Sequence, residues 1–212
     1  MKRRYHWLMA CPMILTLYVP GVVEAFPQVN CEKRPDAPAP TALQDTYASK
    51  LAPILTCSAG GDVHTACNIF LGRALEILFS NTDFKTGTDS YMLANDIANG
   101  LDVPGNAGWT KIGVATDQSA LDKAQDFANQ SLPVVAARKG VGGDAGHVVL
   151  IMPGTAQNYQ FETDTGRKFQ WGDLVAPNSA SFFLNHPERM FISCPLSATW
   201  MKPDGVGLYY KP

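Results

Sequence analysis

Charge of one sign, metal-ligand spacings and long apolar runs are all scarce in this 212-residue sequence. Charged residues make up 17% and the formal charge is −2, so no basic stripe is available for a nucleic-acid backbone. The four histidines are scattered, and no Cys-x2-Cys or His-x3-His pair occurs, which argues against a bound metal. Outside the first 25 residues no apolar run approaches the length of a membrane span. No internal repeat is visible, which leaves a solenoid or an array without support. Low hydrophobicity is lacking too: 46% of residues are apolar, too many for a disordered chain. What remains is expected to be a folded globular protein of one domain.

The N-terminus carries a different pattern. Lys2, Arg3 and Arg4 precede a mostly apolar run from Leu8 to Val23, and Val23-Glu24-Ala25 offers small residues around a cleavage point. Residues 1–25 therefore read as a secretory signal peptide, and the mature chain as secreted or periplasmic with no membrane span. A membrane anchor is disfavoured because Pro12, Pro20 and Gly21 interrupt a run already short for a bilayer. Residues 26–41, rich in proline, read as an extended lead-in. The domain proper is expected over 42–212.

Periodicity divides that domain in two. Leu43, Tyr47, Leu51 and Leu55 recur every four residues and predict a helix over 42–55, capped by Thr41. A second helix is expected over 66–79, a short one over 90–101 and another over 117–129. Residues 80–90 read as a loop. Then the period changes. Residues 132–137 and 147–152 are continuous apolar runs that read as buried strands, antiparallel across the Gly-rich segment 139–146. Further strands are expected at 159–163 and 191–193, with a last, weaker one at 206–210. Helices first and strands after predict an α+β domain, N-terminal helices packed on an antiparallel sheet.

Export allows disulfides, so the cysteines need weighing. Without Cys11 four remain: Cys31, Cys57, Cys67 and Cys194. Two bridges would use them all. Cys67 stands out because it falls at the start of a predicted helix, where unsatisfied N–H groups favour a thiolate and hence a nucleophile. His147 opens an apolar strand directly after a Gly-rich loop, a placement suited to a base. Taken singly, each is more often structural. The glycines of that loop (Gly140, Gly142, Gly143) do not form a phosphate loop, since they lead into a strand.

Residues 67–79, with Cys67 at a helix start and Phe70 soon after, together with Gly146-His147-Val148-Val149, resemble NlpC-type cell-wall peptidases. Met92-Leu93-Ala94-Asn95, Trp109-Thr110-Lys111-Ile112, Ala124, Ala128 and Pro133-Val134-Val135-Ala136 resemble one branch, the peptidoglycan amidase effectors of type VI secretion. The resemblance covers about residues 57–155. It implies a papain-like α+β fold and amide cleavage in peptidoglycan stem peptides, an antibacterial activity. Cys67 would be the nucleophile and His147 the base. It implies no cofactor or metal, a monomer, and a cognate immunity or inhibitor protein as a further partner. Such effectors carry no export signal of the kind residues 1–25 resemble.

A third polar group should orient the imidazole from a following strand. Asn178 falls at about the right separation and is chemically adequate; Asp173, Glu162 and Asp164 are alternatives. Asp62, His64, Trp109 and Asp144 are candidate substrate contacts, with helix capping for Asp62, solvent exposure for His64 and Asp144, and burial for Trp109 as the plainer alternatives. His186 reads as a turn residue, and Trp171 is a second groove or core tryptophan. A bridge from Cys31 to Cys194 would tether the mature N-terminus to the C-terminal strand, as in the effector branch, with Cys57 the competing partner. Two other functions fit the same chain. One is a papain-fold amidase on another amide. The other is a secreted binding protein in which all four cysteines are bridged.

Overall fold

A computed structural model describes residues 37–55, 66–142, 144–159, 161–162, 168–169, 171–182 and 191–212. Residues 1–25, expected to be a signal peptide, and Cys31, Cys57, Asp62, His64, Asp164 and His186 lie outside the described residues.

The first two helices form where the apolar spacing requires them. The first, α1, spans Ala42–Leu55, and Thr41 caps it by accepting the Gln44 N–H at 3.1 Å. The second, α2, spans Ala66–Phe79 and buries Phe70, Leu71, Ala74 and Leu75. A two-stranded ribbon follows, β1 (Lys85–Gly87) with β2 (Ser90–Tyr91), before α3 (Ala94–Leu101). Residues 80–90 are thus not all loop, and the third helix starts four residues later than its periodicity suggests. Tertiary contacts explain the delay. The Tyr91 hydroxyl donates to Glu76 at 2.8 Å, holding residues 90–91 extended against α2.

Then come β3 (Thr110–Val114), α4 (Gln118–Asn129), β4 (Val134–Arg138) and β5 (His147–Ile151). Asp117 caps α4, accepting from the Ser119 N–H at 2.9 Å. A small ribbon pairs β6 (Phe161–Glu162) with β7 (Lys168–Phe169). The chain ends with β8 (Asn178–Ser181), β9 (Phe191–Pro195) and β10 (Gly207–Tyr210).

Among the described residues six strands form one antiparallel sheet in the order β3-β10-β4-β5-β8-β9. With four α-helices among the described residues, the class is α+β. The strand expected at 206–210 forms as β10 and lies inside the sheet, pairing on both sides, with β3 and β4. One correction is needed: β8, whose Asn-Ser-Ala-Ser sequence lacks strand formers, is not among the strands the residue pattern predicts.

The sheet is covered on both faces, which is why β4 and β5 read as unbroken apolar runs. Val135, Ala137, Val148, Leu150 and Tyr209 face α1, α2 and α3. Val134, Ala136, Val149, Ile151 and Leu208 face α4, with Trp171 and Trp200. This alternation decides how the site is built.

Candidate functional site

Cys67 is the second residue of α2, buried at 5% exposure. It is the free cysteine among the described residues. Cys194 is fully buried in β9 and disulfide-bonded, to a partner outside the described residues. Burial pushes the Cys67 thiol up to about 11, although the N–H groups of Val148, Asn68 and Cys67 itself oppose this by donating to the sulfur. At neutral pH the thiol is protonated.

The Val148 contact locates the sulfur precisely enough to matter. Two residue pairs join β8 to β5, Leu150 with Ala180 and Ile151 with Ser179, and the Met152 N–H donates to Asn178 O at 2.8 Å. N–H groups alternate in direction along a strand, so Leu150 and Val148 also point theirs toward β8. The pairing ends before Val148. The Cys67 sulfur occupies that gap and takes the N–H that β8 leaves unpaired.

His147 is the neighbouring residue, but strand alternation sends its side chain to the α4 face. There its Nε2 lies 2.9 Å from Ser181 Oγ, and its ring meets Trp200 edge-on at 5.6 Å between centroids. Which of the two donates depends on the imidazole tautomer. No hydrogen bond joins the His147 ring to the Cys67 sulfur.

Among the described residues it is Ser181, not Asn178, that hydrogen-bonds the imidazole. Asn178 sits beside Met152, at the opposite end of β5. Its Nδ2 donates to Pro153 O at 2.7 Å, and its own N–H donates to Gln125 Oε1 at 2.7 Å. Gln125 Nε2 in turn donates to Met152 O at 3.0 Å. Asn178 thus helps clamp the turn after β5. That turn has no room to spare: a Cβ on Gly154, whose φ is +141°, would fall 2.7 Å from Asn178 Nδ2. Asp173 lies exposed on a turn, and the side chain of Glu162 is outside the described residues.

The candidate substrate contacts separate as well. Trp109 is 2% exposed, stacks on Phe84, and donates its Nε1–H to Asp83 Oδ2 at 2.9 Å. It is a core residue and cannot line a groove. Asp144 is exposed and lines a cavity of about 210 Å³ that also includes His147, Arg138 and Trp200. Ser181, Arg138 and Trp200 were not legible as site residues. Arg138 alone carried a signal, as a cation ending an apolar strand opposite the strand His147 begins.

No potential metal cluster of three or more His, Cys, Asp or Glu occurs among the described residues. No protein-family model matches the chain, and no curated protein sequence matches it significantly.

Proposed function

We propose that this chain is an exported cysteine amidohydrolase of papain-like NlpC type that cleaves stem peptides of peptidoglycan. Cys67 is its nucleophile and His147 its base. The observation that supports this best is the free Cys67 thiol at the head of α2, lodged in the gap between β5 and β8, beside the residue that carries the imidazole.

On this reading the described conformation is a resting one. The thiol is neutral, and the ring is turned to the far side of the strand. His147 is the first residue of β5, so a change in its side-chain torsions brings the ring round the strand end toward the sulfur. The imidazole then takes the thiol proton, and the thiolate attacks the amide carbon. The Cys67 N–H, at the open end of α2, donates to the oxyanion. Imidazolium returns the proton to the leaving amine, and water hydrolyses the thioester. Ser181 is a positioning residue that holds the ring between turnovers. The proposed bridge from Cys31 to Cys194 keeps the exported chain's N-terminus on β9.

Purified mature protein should release shorter peptides from muropeptides. Cys67→Ala and His147→Ala should each lower that rate by at least about a thousandfold while leaving the far-ultraviolet circular dichroism unchanged. If Cys67→Ala cleaves as fast as wild type, the reading fails. Release of peptides from a denatured protein substrate, and none from muropeptides, would instead favour a papain-fold amidase with another substrate.

A further inference from the structure

The cavity beside His147 contains a cation that no described residue pairs with. Arg138 ends β4 and is the cross-strand partner of His147. It is half-buried, lines the cavity, and forms no hydrogen bond or ion pair with any of the described residues. The neighbouring cations are already engaged. Lys139 Nζ lies 2.9 Å from Asp102 Oδ2, and Lys111 Nζ lies 2.8 Å from Asp102 Oδ1. The nearby carboxylates, Asp144 on this wall and Asp204 in the adjoining cavity, are exposed and form no ion pair with the guanidinium. Partly desolvating an unpaired guanidinium is unfavourable, so an anion entering here restores what burial removed.

We propose that this cavity is a carboxylate-binding subsite, with Arg138 as the anchor for an acidic residue of a peptide substrate. The proposal rests on the amidase reading and names the substrate feature it selects. Three observations set the ligand class. A guanidinium fork matches a carboxylate in bidentate geometry. About 210 Å³ holds roughly seven waters at ~30 Å³ each, space for one acidic side chain rather than a polymer. The indole of Trp200 forms an apolar wall suited to the methylenes that carry such a carboxylate. A second cavity of about 490 Å³ shares Arg138, Lys139 and Val141 with the first, so the groove continues along the ends of β4 and β10. An extended peptide anchored at Arg138 would run through it with its neighbouring amide close to His147.

The test is binding by the full mature chain carrying Cys67→Ala, titrated with the peptide Ala-Glu-Ala and with Ala-Gln-Ala. The glutamate peptide should bind about tenfold tighter, as a charge-assisted bidentate pair requires. Arg138→Gln should reduce it to the level of the glutamine peptide, and Arg138→Lys should keep part of the preference, with thermal unfolding showing both variants folded. Equal affinity for the two peptides overturns the subsite, as does a preference that survives Arg138→Gln. So does displacement of both peptides alike by inorganic phosphate, which would mark a general anion site. A chain that binds through Arg138 but cleaves no muropeptide retains the subsite and loses the amidase reading. A chain that cleaves muropeptides with no dependence on Arg138 does the reverse.

Discussion

The Cys67 sulfur, carried by α2, meets β5 at Val148, whereas the neighbouring His147 sends its ring to the other face of the sheet, and that contrast governs how each should behave in solution. A thiol pushed up to about 11 is almost wholly protonated at pH 7. Alkylation of Cys67 by iodoacetamide, without substrate, should accelerate roughly tenfold per pH unit from 7 to 10, tracking the thiolate fraction. A rate that stays flat down to pH 5 would mean a persistent thiolate–imidazolium pair, and the resting conformation would be refuted. The same burial has a stability consequence. The folded thiol holds its proton above the ordinary cysteine value, so its contribution is fully present below about pH 8.5 and is lost as pH rises through about 11. At this scale the sequence was half legible. A cysteine at a helix start and a histidine at a strand start were visible as types in context. Which face each side chain takes depends on strand phase, and phase follows from the sheet.

Elements were more legible than their partners. The α1 and α2 helices follow from apolar spacing alone, because each buries a stripe that its own sequence defines. The start of α3 was misplaced because extended residues 90–91 are held by α2, an interaction no local window contains. Gly72 shows how closely α2 and β2 approach. A Cβ there would fall 2.1 Å from Tyr91 Cδ1, and the Tyr91 hydroxyl is tied to Glu76. In an exposed helix Gly→Ala would stabilise by about 1 kcal/mol. Here overpacking of roughly 1–3 kcal/mol opposes that gain and outweighs it. Gly72→Ala should therefore lower the midpoint of thermal unfolding. A rise would show that the ribbon yields freely and that the Tyr91 contact is loose. The unforeseen β8 makes a related point. Its four residues are all buried, two of them on the sheet's polar seam as Ser179 and Ser181, so composition hid a strand that carries the imidazole's partner.

Across the whole molecule, single carboxylates join segments far apart in the chain. Asp83 accepts from Trp109 Nε1 at 2.9 Å, from Lys211 Nζ at 2.6 Å and from Asn81 Nδ2 at 3.0 Å. Burial raises its carboxyl, but these donors outweigh burial and hold it below the usual carboxylate range. The stability this supplies is present above about pH 4 and is lost as pH falls further. Asp83→Ala should destabilise the fold by roughly 2–3 kcal/mol at pH 7, because it leaves a buried indole N–H and a lysine without their acceptor. The deficit relative to wild type should shrink below pH 4, measured by urea unfolding across that range. An unchanged deficit at pH 3 would mean that lost packing, not the carboxylate, is responsible. Apolar content, the change of hydrophobic period and helix-start chemistry belong to short stretches of chain, so the sequence by itself determined the α+β class and the first two helices, and singled out Cys67 and His147 as candidates. The placement of β10 inside the sheet, the gap that receives the Cys67 sulfur, the exchange of Asn178 for Ser181 and the unpaired Arg138 were decided only by the tertiary structure. Each depends on which strands lie side by side and where their pairing stops, and these are long-range contacts that no local pattern encodes.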